Sequence, residues 1–254
     1  MAAARGLRPG PVLWVAGLVA GVALVAGGAV VARELVAGRA AGKSGDGSAY
    51  VLALPGVLRA EQVTVAIVSS GCGDPVYGSG FPVAAGYLAT AAHVVAGSSA
   101  VLVRTQGGQS VPAQVVLFDP DLDVAVLRAP GLAAAGVAWA EPAAGMSAAV
   151  IGYPQGGRET AVAASIVERM KLDGRDIYGA RVVSRDVGVL SAPVAPGFSG
   201  GPVVDGDGRV VGLVYGASDG TPGRSFALTY SGIRDDVDWG VHSSAPTVAG
   251  RCRA

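Results

Sequence analysis

Short apolar segments separated by glycine- and proline-containing connections recur along most of this chain, and they constrain its fold more than any other feature. Val63, Val65 and Ile67 alternate with polar or small residues, which is the two-residue period of a half-buried strand. The sequence Asp-Gly-Asp-Gly at residues 205–208 is a hairpin-turn signal. Strands at this spacing predict an all-β sandwich or barrel. Further strands are predicted at residues 100–104, 113–118, 124–128, 148–152, 181–184, 202–204 and 209–215. Only residues 231–239 predict a helix, with Ser231 as its N-cap.

Composition excludes several classes of protein. The chain has 254 residues, of which 51% are hydrophobic and 15% charged, so it can bury a sizeable core and is not intrinsically disordered. Its 19 basic and 19 acidic residues cancel, which gives no electrostatic reason to expect nucleic acid as a partner. Two cysteines and two histidines are too few for a disulfide-dense miniprotein, a four-cysteine zinc site or a histidine-rich metal centre. Neither a metal nor an organic cofactor is expected.

The N-terminal region is distinct from the rest of the chain. Residues 11–32 carry no charge, and a helix of that length spans ~33 Å, about the thickness of a bilayer's hydrocarbon core. We expect a single membrane-spanning helix here, after a ten-residue N-terminus and before a linker at residues 33–54 that is rich in glycine and serine. The alternative is a cleaved signal peptide, because Arg5 and Arg8 precede the apolar run. Charges on the two sides of the segment do not decide its orientation.

Three short segments contain residue types that suggest nucleophilic catalysis: TAAHVV at residues 90–95, DPDLDVAVL at 119–127 and PGFSGGP at 196–202. They place a histidine, an aspartate and a serine in that order along the chain. A serine hydroxyl is a poor nucleophile, so it needs an imidazole to take its proton and a carboxylate to orient that imidazole. The glycines around the serine allow backbone N–H groups to converge on a developing oxyanion.

These segments resemble the three catalytic blocks of chymotrypsin-like serine proteases. Residues 148–154, AAVIGYP, resemble a block of the bacterial HtrA/Deg branch. The apolar N-terminal segment, Cys72 and the run DPDLDVAVLRAPGL together are similar to MarP-type membrane-anchored proteases. The resemblance covers residues 55–240, which are thereby expected to form the protease domain, followed by a tail at residues 241–254. Because 55 residues follow the serine in this sequence, a PDZ domain of the kind that HtrA proteases usually add is not expected after it.

The resemblance implies two six-stranded antiparallel β-barrels, with the active site in the cleft between them and a short C-terminal helix. It assigns His93 as the general base, Asp123 as the residue that orients it, and Ser199 as the nucleophile. The N–H groups of Gly197 and Ser199 would form the oxyanion hole. Asp121 is the alternative to Asp123, since one residue of strand register separates the two.

The resemblance also implies where the protein acts and on what. The domain is expected outside the cytoplasm, in the periplasm or extracellular space, with protein or peptide substrates; no oligomeric state is predicted. In an oxidising compartment Cys72 and Cys252 are expected to form a disulfide, and two unrelated thiols are the alternative. Residues 190–196 contain no acid, which disfavours cleavage after basic residues, and Tyr215 is predicted to narrow the specificity pocket.

Two other functions fit the sequence less well. A protease-like domain that binds partners without cleaving them would keep the same fold. The sequence GFSGG also matches the nucleophile elbow of α/β-hydrolases, with Asp219 or Asp235 and then His242 as its partners. That elbow lies between a strand and a helix, whereas a strand and a turn are predicted after Ser199.

Overall fold

The computed structural model describes residues 49–218 and 220–253. The predicted membrane segment at residues 11–32 and the linker up to residue 48 lie outside the described residues. In the part of the chain that is described, no helix is both long enough and apolar enough to cross a membrane.

The strands of the described residues form two closed antiparallel barrels of six strands each. Neighbouring strands follow the order β1-β2-β3-β6-β5-β4 in the first barrel and β10-β11-β12-β9-β8-β7 in the second. The first barrel consists of β1 (Val65–Ser70), β2 (Val76–Ala84), β3 (Tyr87–Thr90), β4 (Ala100–Arg104), β5 (Ser110–Asp119) and β6 (Val124–Arg128). The second consists of β7 (Ser147–Gly152), β8 (Thr160–Arg175), β9 (Val182–Ser191), β10 (Pro202–Val204), β11 (Val210–Ala217) and β12 (Arg224–Leu228). The all-β fold with two barrels, expected from the resemblance, is therefore confirmed.

Three helices accompany the barrels: α1 (Pro55–Val63), α2 (Ala92–Val95) and α3 (Tyr230–Val241). Two 3-10 turns, Tyr50–Ala53 and Pro154–Gly156, complete the regular elements. The C-terminal helix α3 packs on β6 of the first barrel, and a Cβ built at Gly240 would lie 2.6 Å from the Val126 side chain. Contact this close requires glycine on the helix and leaves Val126 fully buried.

Two local predictions were wrong. The strand predicted around Val63 begins only at Val65, because residues 55–63 form α1. Pro55 suits the first turn of a helix, since proline has no N–H to leave unpaired there, and Val57 and Ala60 supply the buried face. At the other end of the domain, α3 is capped by Thr229 and not by Ser231, because the Thr229 hydroxyl accepts the N–H of the third helical residue at 3.2 Å.

The β8–β9 hairpin extends beyond its own barrel and reaches the first one. At its tip, the N–H of Ile177 donates to the carbonyl of Pro120 at 3.1 Å. Arg181 of the same hairpin forms an ion pair with Asp121 at 2.6 Å. The tip of the hairpin therefore covers the segment that leads to Asp123.

The C-terminal tail crosses the first barrel. The N–H of Thr247 donates to the carbonyl of Val115 at 2.8 Å, and the carbonyl of Ala249 accepts the N–H of Gly97 at 2.7 Å. Ala249 is buried. Main-chain hydrogen bonds therefore hold these residues of the tail against the barrel.

Candidate active site

His93 and Asp123 form a hydrogen-bonded pair in which the aspartate is buried and the histidine is partly exposed. His93 lies in α2, directly after β3, and its Nδ1 lies 2.7 Å from Oδ2 of Asp123. The backbone N–H of His93 donates to Oδ1 of the same carboxylate at 2.8 Å. The Asp123 side chain is only 3% exposed, against 19% for His93. Because a carboxylate accepts hydrogen bonds, Nδ1 of His93 is the donor in this pair, and Nε2 is left as the nitrogen that can accept a proton.

Three aspartates lie close together here, and only Asp123 contacts His93. Asp119 accepts the N–H groups of Asp121 and Leu122 at 2.7 and 2.9 Å, which is turn chemistry. Asp121 is bound instead by Arg181 of the β8–β9 hairpin. Asp123 has a φ of +64°, a left-handed conformation that aspartate tolerates better than most residues and that places it directly before β6.

The loop that carries Ser199 has each of its carbonyl groups bound. From residue 196 to residue 199 the donors are, in order, the Gln155 N–H at 2.9 Å, the Ser79 hydroxyl at 2.6 Å, the Gly201 N–H at 2.8 Å and the Ser79 N–H at 2.8 Å. The N–H groups of Gly197 and Ser199, in contrast, donate to no atom among the described residues. These two donors are therefore available to a ligand.

The direction of the Gly197 N–H follows from peptide geometry. The N–H and C=O groups of a trans peptide point in opposite directions, and the described residues contain no cis peptide. The carbonyl of Pro196 is held by Gln155, so the N–H of Gly197 points to the opposite side. Only glycine fits at position 197, where φ is +103° and a Cβ would lie 2.3 Å from the Tyr153 carbonyl oxygen.

The Ser199 loop packs on the segment that leads to His93. A Cβ built at Gly200 would lie 2.6 Å from the N–H nitrogen of Ala91, two residues before the histidine. Ser199 itself is partly exposed, and its hydroxyl makes no hydrogen bond to His93 or to any other described residue. Catalytic hydrogen bonds are often long or absent without substrate, so this arrangement is compatible with a serine nucleophile.

The α/β-hydrolase alternative does not fit the described residues; Asp219, one of its two candidate acids, lies outside them. Ser199 is followed by β10 of a closed barrel and not by a helix. His242 is exposed at the end of α3, where its Nδ1 lies 2.6 Å from the carbonyl oxygen of Asp238. Within residues 49–218 and 220–253, no three histidine, cysteine, aspartate or glutamate side chains are grouped to hold a metal ion.

Tyr215 lies on β11 against a buried arginine. The guanidinium carbon of Arg185 lies 5.0 Å from the Tyr215 ring centroid. Arg185 is 1% exposed, and its Nε and Nη1 have no hydrogen-bond partner among the described residues. Burial raises the pKa of Tyr215, with the charge of Arg185 opposing this shift and that of Asp123 adding to it. Tyr215 is thus a neutral phenol near the carboxylate, and its predicted effect on the specificity pocket stays a prediction.

Cys72 and Cys252 form a disulfide in the structure. The bond ties the residues after β1 to the C-terminal tail. It also lies beside the end of α2, since a Cβ built at Gly97 would be 2.5 Å from the Cys72 sulfur. The bond therefore lies next to the residues that follow the helix carrying His93.

Comparison with known proteins defines the class to which this chain belongs. Residues 78–213 match the family model described as a trypsin-like peptidase domain. The match extends over more than half of the chain and includes both barrels' contributions to the site. The chain is a member of the trypsin-like peptidase family.

The similarity extends to particular proteins. The serine protease Rv3671c of Mycobacterium tuberculosis is 39% identical over 184 residues, which are 71% of this chain and 46% of that protein. The chain thus spans less than half the length of this relative. A probable periplasmic serine endoprotease, DegP-like, from Halomonas elongata is 33% identical over 168 residues, 63% of this chain and 34% of that protein.

Solved structures show the same fold. The crystal structure of the Rv3671c protease in its active form superposes with a TM-score of 0.76 at 38% identity, covering 79% of this chain and 89% of that chain. The HtrA-type protease AlgW with a tripeptide gives a TM-score of 0.60 at 27% identity, covering 72% of this chain and 60% of that chain. Both the HtrA branch and the MarP-type resemblance are therefore borne out at the level of family.

Sequence reasoning missed three residues that contact the site. Ser79, Gln155 and Arg185 bind the Ser199 loop or pack on Tyr215. Ser79 and Gln155 donate hydrogen bonds to backbone carbonyls of the loop, and contacts of this kind leave no pattern in the sequence. Only the GSG sequence at residues 78–80, next to an apolar strand, pointed toward the first.

Proposed function

We propose that this chain is a serine endopeptidase that hydrolyses peptide bonds of proteins or peptides through Ser199, His93 and Asp123. The observation that carries the proposal is the hydrogen-bonded His93–Asp123 pair beside a loop in which the N–H groups of Gly197 and Ser199 have no partner among the described residues. Membership in the trypsin-like peptidase family supports it.

In the proposed reaction Ser199 Oγ attacks the scissile carbonyl carbon while His93 Nε2 takes its proton. The N–H groups of Gly197 and Ser199 stabilise the negative oxygen of the tetrahedral intermediate. The intermediate collapses to an ester on Ser199, and His93 returns the proton to the departing amine. Water then attacks the ester while His93 takes its proton, and His93 returns that proton to Ser199 Oγ as the acid product leaves. Asp123 orients the imidazole and stabilises its protonated form throughout.

We further propose that the protease domain acts outside the cytoplasm, anchored by residues 11–32 with residues 1–10 inside, or secreted if that segment is cleaved. The Cys72–Cys252 disulfide supports this, because disulfides persist mainly in oxidising compartments. Proteolytic shaving of intact cells should cut the linker near Lys43 and release the domain. If the linker is protected until the membrane is permeabilised, the topology is the opposite.

Ser199→Ala tests the catalytic proposal. The change removes one partly exposed hydroxyl, so the protein should fold normally and lose hydrolysis of casein and of peptide substrates by several orders of magnitude. Thr247→Ala is a suitable control, because Thr247 is exposed and its hydrogen bond to the barrel is made by its main-chain N–H. A parent protein with no hydrolysis of any tested substrate would favour the binding-module alternative.

A further inference from the structure

Ser79 is a fully buried polar residue that joins three segments around the proposed active site. Its N–H donates to the Ser199 carbonyl at 2.8 Å, and its hydroxyl donates to the Gly197 carbonyl at 2.6 Å. The hydroxyl also accepts the N–H of Tyr153 at 2.9 Å, and its carbonyl accepts the Thr90 hydroxyl at 2.7 Å. Every polar group of Ser79 therefore has a hydrogen-bond partner. The partners lie in three segments identified as motifs in the sequence, at residues 90–95, 148–154 and 196–202.

Three glycines make room for this residue. A Cβ at Gly200 would lie 2.4 Å from the Ser79 carbonyl oxygen, and one at Gly201 would lie 3.1 Å from the Ser79 Cβ. A Cβ at Gly152 would lie 3.0 Å from the Ser79 Oγ. The backbone thus encloses Ser79 on several sides, so its hydroxyl is held in the single orientation that makes these hydrogen bonds.

We propose that Ser79 is a positioning residue that holds the oxyanion hole in its working geometry. The inference rests on the proposed function and extends it to a residue outside the triad. Ser79 binds the carbonyls of Gly197 and Ser199, which flank the peptide that contains the Ser199 N–H. It also joins the loop to Tyr153, and the 3-10 turn that follows supplies the Gln155 N–H to Pro196.

Loss of the Ser79 hydroxyl should weaken stabilisation of the transition state. Gly197 has a φ of +103° and no side chain, so the loop after it is restrained by the hydrogen bond to its own carbonyl, while the Gln155 bond to Pro196 restrains the peptide before it. If the Ser79 hydroxyl is removed, the buried Gly197 carbonyl and the buried Tyr153 N–H both lose the hydrogen bond that it makes to them. The peptides after Gly197 can then rotate, and the Ser199 N–H no longer converges with the Gly197 N–H on the oxyanion. Substrate binding in the ground state uses the oxyanion hole little, so kcat changes more than KM.

Ser79→Ala in the full chain tests the proposal, with Thr64→Val as a matched control. Thr64 is also fully buried, and its hydroxyl donates only to the Ala60 carbonyl at 2.8 Å, within its own segment. We expect Ser79→Ala to lower kcat about 10-fold to 100-fold at nearly constant KM, because the donor is displaced and not removed, and outright removal of an oxyanion donor costs about 10²- to 10³-fold. Thr64→Val should lower Tm similarly and leave kcat near the parent value.

Inhibition separates positioning from general damage. The substrate is succinyl-Ala-Ala-Pro-Val p-nitroanilide, and the transition-state mimic is the boronic acid of the same peptide, whose tetrahedral adduct places an oxygen in the oxyanion hole. For Ser79→Ala the boronate Ki should rise by the factor by which kcat falls, while the Ki of the product peptide acid stays unchanged. Ser79→Cys keeps a side chain of similar size with a weak donor, and it should show the same pattern to a smaller extent if Ser79→Ala does not fold.

The outcomes are distinct. A folded Ser79→Ala with parental kcat and boronate Ki overturns the inference, as does a loss of activity that Thr64→Val shares in proportion to its loss of Tm. Parental kcat in Ser79→Cys overturns it too where Ser79→Ala is unfolded. A parent protein that neither hydrolyses the substrate nor reacts with a fluorophosphonate overturns the proposed function itself, and the inference with it.

Discussion

Breaking the Cys72–Cys252 bond should lower the free energy of unfolding substantially. The bond joins residues 180 positions apart. In the chain-entropy model, releasing a loop of about this length returns on the order of 5 kcal/mol of entropy to the unfolded state at 25 °C. The native tail keeps its hydrogen bonds through Thr247 and Ala249, so we expect the protein without the bond to fold and to be destabilised by up to this amount.

Urea unfolding of the parent, Cys72→Ser, Cys252→Ser and the double variant measures the effect. All three variants break the same bond, so all three should lose the same free energy, and the double variant should lose no more than either single one. Mass spectrometry should find no alkylated thiol in the parent before reduction and two after it. Additive losses, a loss below about 1 kcal/mol, or two free thiols in protein isolated without reductant would refute the reasoning.

Activity should respond to the same change. The tail binds Gly97, just after the α2 helix that carries His93, so loss of the bond loosens the support of the general base. We expect a reductant to lower kcat of the parent and to leave Cys252→Ser unaffected. Equal activity of the parent with and without reductant would show that the tail does not support the site.

Two further predictions concern aspartates. Asp123→Asn should lower kcat by roughly 10⁴-fold, because an amide no longer fixes the histidine tautomer. Asp121→Asn breaks only a surface ion pair and should leave kcat unchanged. Equal effects of the two variants on kcat would contradict the assignment of Asp123. Burial, together with the charges of Asp119 and Asp235, raises the pKa of Asp236 to about 6. The folded state then holds this proton more tightly than the unfolded state, so the free energy of unfolding should fall as pH rises from about 4 to about 6, by on the order of 1 kcal/mol. Asp236→Asn should remove this fall, which urea titrations at each pH would measure. A pH dependence that is identical in Asp236→Asn and the parent would argue against this.

Strand positions were predicted best from the sequence where the run of apolar residues coincides with the run of buried residues. The strand at residues 124–128 has four consecutive buried apolar residues and was found with the correct bounds. In contrast, most of β8 after Ile166 is exposed and contains charged residues, so its 16-residue length carries no apolar alternation that could predict it. Hairpin pairing with β9 forms this strand in spite of its composition.

The candidate site divides in the same way. Side chains with distinctive chemistry, His93 and Ser199, could be selected from residue type and order, and the structure places Asp123 rather than Asp121 beside the histidine. The loop geometry could not be predicted, because it depends on carbonyl groups bound by Ser79 and Gln155 from distant segments. Backbone hydrogen bonds between segments so far apart follow from tertiary packing and have no local signal.

Reaction of the full chain with a fluorophosphonate, followed by mass mapping of the labelled peptide, tests the proposed mechanism most directly. The reagent reacts with a serine only when a neighbouring base and an oxyanion hole activate it. We predict a single adduct on Ser199 in the parent, with labelling lost in Ser199→Ala and strongly reduced in His93→Ala. An unlabelled Ser199 in folded parent protein that still hydrolyses peptides, or full labelling of the His93→Ala variant, would contradict it.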